Sequence, residues 1–512
     1  MFFQYKRVLY FIFLVVIFSN AFAGPWVLPG NLAVKSDIDI LADAGLIKAP
    51  VMTWPIAWVN IGPELLSPET KVKLAKEPES VQQAYQRIIE LYKNSYQLYK
   101  PQTAIYASGS NRLNPFRTFQ YEPYAKFASG ISAAYQMKHF AGSIDVSYYH
   151  APNQSYSDDA HIDNSYAYLL LGNWGIGFDQ FNRWWGPGFS DAMILSQNAE
   201  PFPAFGLQRM HAVAFKTKWL HWLGPWSISS VVSENGPSYF PYPQGVDNDL
   251  FWFTNVSFRP LQSLQFDITR NVLFAGEERP LTWRMFFNLI TLQDSYEHGM
   301  SAQDAPGSEE WDIGTKWSLM PVFHIPVNLY QQTTFMNANT DDAPFPPTPD
   351  YTTFLLGGSV FTQLALGTLR TYFEYENNVT RMLWWMGNVM CANPYGDPPY
   401  PYTYYNRVLG SPLGSNGIGY TLGAVLTEND GNSDTAMLRF IRLNTLNNGA
   451  VGTPGFPFAK QDVIWISFGR VVILPHHLGS LSPDMGYLQS VTSGPGLSSG
   501  LSATLTWAKN FY

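Results

Sequence analysis

Residues 264–269 read Leu264-Gln265-Phe266-Asp267-Ile268-Thr269, and this stretch sets the pattern for most of the chain. Apolar and polar residues alternate with a period of two, which places the apolar side chains on one face of a β-strand. The alternation recurs at 143–148, 312–319, 463–468 and 501–507, and clusters of Gly, Pro, Asn and Asp separate these segments. The pattern predicts a long series of amphipathic strands joined by turns.

The composition indicates where such strands lie. Aromatic residues make up 16% of the chain and charged residues only 14%, against a usual charged fraction of roughly 25%. After residue 23 there is no apolar run of the ~18 residues that a transmembrane helix needs. Membrane β-barrels combine an apolar outer face, a polar lumen and two aromatic girdles, and this composition is typical of them. A large soluble β-protein rich in sugar-binding aromatic residues is the alternative.

The segment 104–512 predicts an all-β transmembrane barrel of the outer membrane. At about 20 to 25 residues per strand and connection, it holds about 16 to 20 antiparallel strands, and an even number is expected. The Pro-rich intervals 338–351 and 392–416 are interpreted as extracellular loops. The chain ends in Phe511-Tyr512, and a terminal aromatic residue on an amphipathic strand resembles the assembly signal of outer-membrane barrels.

The first residues predict export. Lys6 and Arg7 precede the unbroken apolar run 8–18, and Ala21-Phe22-Ala23 is a small-x-small cleavage site. These features are typical of a signal peptide, which we place at residues 1–23. An uncleaved N-terminal membrane segment is the alternative.

Residues 24–103 predict a small α-helical region in the periplasm. Ile38, Leu41 and Ala42 share one helical face behind Ser36 and Asp37, either of which could cap the helix. Ser67-Pro68-Glu69 is a second helix start, with proline at the first helical position. Between residues 81 and 92 the apolar residues again recur at helical spacing.

Signs of catalysis are weak. Cys391 is the only cysteine, which excludes an intramolecular disulfide. The histidines are scattered, and His476 and His477 would point to opposite faces of a strand. Asp158-Asp159 with His161 could mimic a carboxylate–histidine pair, but a polar loop explains these residues better. We therefore predict no catalytic residue, metal or cofactor, and the net charge of −8 gives no basic tract for nucleic acid.

The most distinctive segment is 172–210. It contains Arg183-Trp184-Trp185-Gly186-Pro187-Gly188, followed by Leu195-Ser196-Gln197-Asn198-Ala199 and Pro201-Phe202-Pro203. These blocks resemble the signature of the Wzi family of capsule assembly proteins. Further stretches are similar and occur in the family's order: Ile40–Gly45 with Thr53-Trp54-Pro55, Phe258-Arg259-Pro260 with Arg270 and Gly276, Glu374-Tyr375-Glu376, and Tyr404, Arg407, Val408, Gly410, Pro412 and Gly414.

The resemblance implies an 18-strand barrel with a periplasmic helical bundle. It also implies a non-catalytic, monomeric outer-membrane lectin that holds capsular polysaccharide or exopolysaccharide at the cell surface amid outer-membrane lipid. Sugars pack their C–H faces on aromatic rings, and arginine binds their carboxylates. We therefore predict a polysaccharide site near the central block, with Arg183, Trp184, Trp185, Asn198 and Arg209 together, and with Tyr404 and Arg407 as further contacts.

Two alternatives remain open from the sequence. The Arg-Trp-Trp-Gly-Pro-Gly block could be a structural turn or an inward-folded plug, since glycine and proline shape the backbone in either case. The whole barrel could instead be a diffusion porin, because about 18 strands can enclose an aqueous channel.

Overall fold

The structure is a computed structural model. It describes residues 24–152, 159–235, 249–276, 281–291, 308–336, 350–379, 396–397, 400–404, 407–445, 460–475, 478–492 and 496–511. The predicted signal peptide at 1–23, Cys391, Asp158, His476, His477 and Tyr512 lie outside these residues. So do residues 338–349 of the first predicted extracellular loop, and residues 392–395, 398–399 and 405–406 of the second.

Eighteen antiparallel strands of the described chain close into a barrel, as predicted. They are β1 Gln102–Ser110, β2 Ala125–Gln136, β3 Phe140–Pro152, β4 in two pieces (Asp159–His161 and Tyr166–Leu171), β5 Trp174–Asp179, β6 Ala204–Arg209, β7 Trp226–Glu234, β8 Leu250–Leu261, β9 Leu264–Phe274, β10 Ser308–Ser318, β11 Val327–Met336, β12 Asp350–Leu364, β13 Gly367–Asn377, β14 Ile418–Glu428, β15 Ser433–Leu443, β16 Gln461–Ile473, β17 Ser480–Ser490 and β18 Gly500–Phe511. Neighbouring strands pair in chain order, and β18 pairs with β1 to close the ring.

The two ends of the barrel differ in their connections. We call the end where β1 begins and β18 ends the near rim, and the opposite end the far rim. At the near rim the chain turns within 172–173, 262–263 and 365–366. The connections at the far rim are longer and include 180–203, 275–307 and 378–417.

The outer wall carries the surface expected of a membrane barrel. Its middle exposes aliphatic side chains such as Ile144, Leu356 and Ile466. Rings cluster towards the far rim, where Tyr375 stacks on Tyr420 with centroids 4.9 Å apart. Exposed rings at the near rim include Trp219, Trp222, Trp317 and Phe323. The inner wall is polar, with buried Thr269, Asn271, Gln332 and Thr353, so the wall alternates as barrel strands do.

Six helices and four short strand pairs complete the described chain. The helices are α1 Leu32–Asp43, α2 Gly62–Leu66, α3 Pro68–Leu74, α4 Glu79–Ser95, α5 Trp283–Thr291 and α6 Met320–Phe323, with 3₁₀ turns at Trp58–Asn60 and His221–Leu223. The short pairs are Trp26–Val27 with Ile56–Ala57, Thr53–Trp54 with Trp184–Trp185, Gly396–Asp397 with Tyr400–Pro401, and Thr403–Tyr404 with Arg407–Val408. Among the described residues, none of these helices is long and apolar enough to cross a membrane.

Two helix starts follow the sequence and one does not. Ser67 caps α3 through its hydroxyl, which accepts the Thr70 N–H at 3.2 Å. The periodic residues between 81 and 92 form α4. For α1 the predicted cap is wrong, because Asn31 rather than Ser36 or Asp37 caps it, accepting the Val34 N–H at 3.1 Å. Ser36 and Asp37 lie inside the helix and bind other elements.

Helix α1 lies inside the near-rim half of the barrel. Its carboxylates bind polar side chains of the inner wall: Asp39 pairs with Lys316 at 2.7 Å and Asp43 accepts from Asn328 at 2.7 Å. The Ser36 hydroxyl accepts from Arg370 at 2.9 Å. Asp37 instead faces α4, where Arg87 holds it through two hydrogen bonds of 2.7 Å. The polar side chains of α1 thus take the place of the water that would otherwise solvate the inner wall of the barrel.

Candidate functional site

Three far-rim connections fold into the lumen above α1. We call them loop I (111–124), loop II (180–203) and loop III (the described part of 378–417, chiefly 402–404 and 407–417). Every residue from 181 to 202 in loop II is buried. Loop II contains the Arg-Trp-Trp-Gly-Pro-Gly block, so this block lies within the lumen. We call the three loops together with α1 the plug.

Glu374 on the inner wall of β13 holds loop II. Its carboxylate accepts the backbone N–H of Phe189 at 2.7 Å and that of Ser190 at 2.9 Å. The Ser190 hydroxyl also donates to it, and the Tyr330 hydroxyl donates from β11 at 2.7 Å. A carboxylate that binds two consecutive backbone amides fixes both the position and the direction of the loop.

The wall holds loop II at two further points. Arg439 of β15 forms an ion pair with Asp191. Burial raises the pKa of Asp191, and the nearby Arg439 guanidinium opposes that rise. On the other side, the Gln332 amide accepts the Met193 N–H at 3.0 Å and donates to the Trp185 carbonyl at 2.8 Å. Buried polar groups of wall and loop therefore satisfy one another.

The glycines of the block are needed for the fold of the loop. A Cβ atom on Gly188 would lie 2.2 Å from the backbone oxygen of Asp191. At Gly186 a Cβ would lie 2.3 Å from the Gln332 side chain, and the φ angle of +156° disfavours other residues. These close approaches explain the Gly-Pro-Gly sequence by backbone shape alone.

Arg183 forms a closed internal ion pair. Its Nη2 donates to the Asp179 carboxylate at 2.5 Å and its Nη1 to the Phe181 carbonyl at 3.3 Å. The guanidinium also lies 5.1 Å from the Phe202 ring centroid. Only 4% of the residue is exposed, and the adjoining cavity has a volume of about 10 Å³, enough for about one water molecule.

Trp184 and Trp185 point to different parts of the core. Trp184 is fully buried, donates to the Gly188 carbonyl at 3.1 Å and packs edge-on against Phe119 of loop I. Its backbone pairs with that of Trp54 in the N-terminal segment. Trp185 packs edge-on against Phe253 of β8. The Trp184 ring therefore packs within the plug, and the Trp185 ring joins the plug to the barrel wall.

Asn198 and Arg407, two of the predicted site residues, contact each other inside the barrel. Arg407 Nη2 donates to Asn198 Oδ1 at 2.8 Å, and Asn198 Nδ2 donates to the Val408 carbonyl at 2.8 Å. Burial lowers the pKa of Arg407, and Arg117 of loop I adds to the effect; a guanidinium still stays protonated at neutral pH. Tyr404 packs edge-on against Phe202 of loop II.

Arg209 does not join this group, and the expectation that it lies near the Arg-Trp-Trp block is wrong. It is the last residue of β6, opposite Trp174 at the near rim, whereas Ala204 lies opposite Asp179. Five strand steps separate the two levels, or about 17 Å. Its guanidinium stacks 3.9 Å from the Trp226 ring centroid and donates to the Trp226 carbonyl. Arg183 and Arg209 are close in the sequence but not in space, because the chain reverses direction between them.

Loop I completes the plug and leaves a polar cavity. Arg117 stacks 3.8 Å from the Tyr124 ring centroid, and Tyr124 donates to Asn182 of loop II at 2.8 Å. Between loop I and the walls of β15 to β18 lies a cavity of about 40 Å³, lined in part by Glu122 and Asp484. It has room for about three water molecules. Burial raises the pKa of Glu122 to about 8, and the Asp484 carboxylate adds to that rise.

The wall residues that hold the plug were not singled out as site residues from the sequence. Four of them occupy inward positions of β10, β11, β13 and β15: Lys316, Gln332, Arg370 and Arg439. The alternation of each strand made the inward direction of these side chains predictable, but it did not predict their partners. Glu374 and Glu376 appeared only in a block of family similarity. Glu376 accepts from Ser411 and from Asn378 of loop III. Two alternate carboxylates on one strand therefore hold two loops, a spacing that the strand period explains.

One cluster of ligand-type side chains occurs in the described residues. His161, Asp163 and Glu200 place their ligand atoms within 4.8 Å of one another. Asp163 already accepts hydrogen bonds from Tyr149 at 2.6 Å and Gln180 at 2.8 Å, and His161 stacks on the Tyr149 ring. These contacts satisfy the carboxylate as a structural group.

Comparison with known proteins identifies the family. The model of the capsule assembly protein Wzi family matches residues 106–459. An uncharacterised 55.8 kDa protein of the cps region of Klebsiella pneumoniae is 25% identical over 321 residues, which is 61% of this chain; the match spans 58% of that protein's length.

A solved structure gives the same fold. It is Wzi of Escherichia coli, described as a carbohydrate-binding β-barrel of the outer membrane involved in group 1 capsule assembly. The likeness has a TM-score of 0.75 at 19% identity and covers 95% of this chain and 99% of that one. The family model, which covers well over half of the sequence, shows that this chain belongs to the Wzi family of capsule assembly proteins.

Proposed function

We propose that this protein is a non-catalytic outer-membrane lectin that retains capsular polysaccharide or a related exopolysaccharide at the cell surface. The observation that carries the proposal is the plug. A barrel whose lumen is occupied by α1 and by loops I to III offers its far-rim surface, rather than a channel, for function. Family membership supplies the ligand class, since the similar Escherichia coli protein is described as carbohydrate-binding.

The orientation in the membrane follows from the connections. Outer-membrane barrels have short periplasmic turns and longer extracellular loops. The near rim therefore faces the periplasm, together with the start of β1, the end of β18 and helices α2 to α4, whereas α1 lies within the lumen. The far rim faces the outside of the cell, and the aliphatic outer wall meets lipid. A single closed barrel of this kind needs no partner subunit to complete it.

We infer that the seven predicted site residues support the binding surface and do not themselves contact the polysaccharide. All seven are less than 9% exposed, and Arg183 is paired internally with Asp179. We infer that Arg183, Trp184, Trp185, Asn198, Tyr404 and Arg407 fix the shape of the plug, and Arg209 stabilises the near rim. Polysaccharide then contacts the outer surface that these loops support.

The runner-up function, diffusion through an open pore, needs a continuous aqueous path. The hydrogen bonds of Glu374, Arg439 and Arg370 to the plug argue against such a path. In planar bilayers, we expect the purified protein to give no large steady conductance. Large, open and steady channels would favour the porin.

Deletion in the host tests the lectin directly. We expect a deletion strain to export polysaccharide normally but to release it into the medium, and wild-type protein supplied in trans should restore retention. Unchanged retention in the deletion strain would contradict the proposal. Loss of export itself, with no released polysaccharide, would assign the protein to secretion instead.

A further inference from the structure

Helix α5 lies outside the barrel. It packs on the outer face of β8 and β9 near the far rim, where Met285 and Leu289 cover Val272 and Phe274. These two strand residues point away from the lumen, since their neighbours Asn271 and Leu273 face inward in the alternating wall. Phe286 also stacks on the outward ring of Trp252, with centroids 6.1 Å apart. The helix is thus part of the outer surface of the wall.

The side of α5 that faces away from the barrel is also apolar. Trp283 is 86% exposed, Phe287 63% and Ile290 54%, and the spacing of these residues places them on one helical face. A helix that packs one apolar face on protein and leaves a second apolar face uncovered is unsuited to water. Polar residues would occupy that second face if it met solvent.

The helix also covers an ion pair on the outer wall. Arg270 of β9 pairs with Glu309 of β10, and its Nη1 donates to the Leu289 carbonyl in the last turn of α5 at 2.6 Å. Both residues occupy outward strand positions. The negative end of a helix favours a cation, so α5 supplies an acceptor and shields the charges from whatever surrounds the wall.

We propose that the exposed face of α5 inserts among the acyl chains of outer-leaflet lipid. This inference rests on the membrane placement argued above. The lipid is chosen because the face is continuous with the lipid-facing wall through Trp252 and Phe286 and lies at the level of the far-rim aromatic girdle. An amphipathic helix at that level inserts its apolar residues at the boundary between headgroups and chains.

A nitroxide label on the helix tests the proposal in vesicles of phosphatidylcholine and phosphatidylglycerol. Phe287→Cys and Ile290→Cys are made separately in a Cys391→Ala background, and heat-modifiable migration checks assembly. Leu356→Cys on the outer wall is the lipid control, and Val72→Cys on α3 is the water control; both native residues are exposed. Collision rates with oxygen and with a water-soluble nickel chelate are compared.

We expect position 287 to match position 356, with a ratio of oxygen to nickel collisions several-fold above that at position 72. We expect the same ratio at position 290, and this position replaces position 287 in the test if Phe287→Cys fails to assemble. A ratio equal to that at 72 would overturn the inference, as would shielding from both reagents together with a dipolar coupling between two labelled copies. If position 356 itself behaves like position 72, the membrane placement is wrong and the inference fails with it.

Discussion

Arg407 and Asn198 lie 209 residues apart in the sequence, and a 2.8 Å hydrogen bond from guanidinium to amide oxygen joins them inside the barrel. The contact links loops II and III, which are attached to opposite parts of the wall. Neighbouring bonds from Ser196 to Leu409 and Gly410 run between the same two loops. The plug therefore acts as one unit rather than as three separate loops.

The first prediction concerns this link. Arg407→Ala should lower the stability of the assembled barrel by about 1.5 to 3 kcal/mol, the usual contribution of a hydrogen bond to a charged group. Asn198→Ala removes the same bond, so the double variant should be less destabilised than the sum of the single variants. The temperature of heat-modification on gels measures each effect. If the losses of stability in the two single variants simply add in the double variant, the hydrogen bond between Arg407 and Asn198 contributes no measurable free energy.

The second prediction concerns Arg183. Removing one partner of a buried ion pair costs about 3 to 5 kcal/mol, because the other charge stays buried without its partner. Arg183→Ala should therefore lower the heat-modification temperature strongly. The matched control is Arg442→Ala, which breaks an ion pair with Asp462 in which the Arg442 side chain is 47% exposed; such pairs contribute about 0 to 1 kcal/mol. An Arg183 variant that assembles with normal stability but loses polysaccharide would restore the binding role predicted from sequence.

A third prediction tests closure of the lumen. Glu374→Ala removes the acceptor for the Phe189 and Ser190 amides, so loop II should detach from the wall at least part of the time. We expect current fluctuations in planar bilayers that the wild-type protein lacks. The control is Glu90→Ala, which removes an exposed carboxylate on α4 and should show no such current fluctuations. If neither variant shows current fluctuations, the plug stays closed without the contact between Glu374 and loop II.

Much of the fold was predictable and little of the site was. The two-residue period predicts the strand faces, and it is sufficient to place polar residues such as Glu374 and Arg370 on the inward face, because the other face must be apolar to meet lipid. The partners depend on how loops fold into the lumen, and no local pattern encodes that. Ser36 and Asp37 show the same limit, since both resemble helix caps but bind Arg370 and Arg87 from inside α1.

The fourth prediction is a pH effect centred on Glu122. Its folded pKa of about 8 lies above the ordinary value of 4.5, because burial and Asp484 disfavour the charged form. The folded state thus binds this proton more tightly than the unfolded state does. Its contribution to stability is full below pH 4.5 and is lost as the pH rises towards 8.

Heat-modification temperatures measured between pH 5 and pH 8 check this effect. They should fall across that range in the wild type and fall less in Glu122→Gln. The charges of Arg117, Arg407 and Asp484 act on Glu122, and these residues are left in place in both proteins. An identical slope in the two proteins would assign the pH dependence to other groups.

The most direct test of the central claim is binding of the purified, plugged barrel to surface polysaccharide extracted from its own host, measured by titration in detergent. We predict saturable binding with no change in the length of the glycan chains, because the proposed role is to hold the polysaccharide and not to cleave it. Glu90→Ala should bind as the wild type does. Absence of binding by a barrel that is fully heat-modifiable, or shortening of the glycan during the titration, would contradict the account.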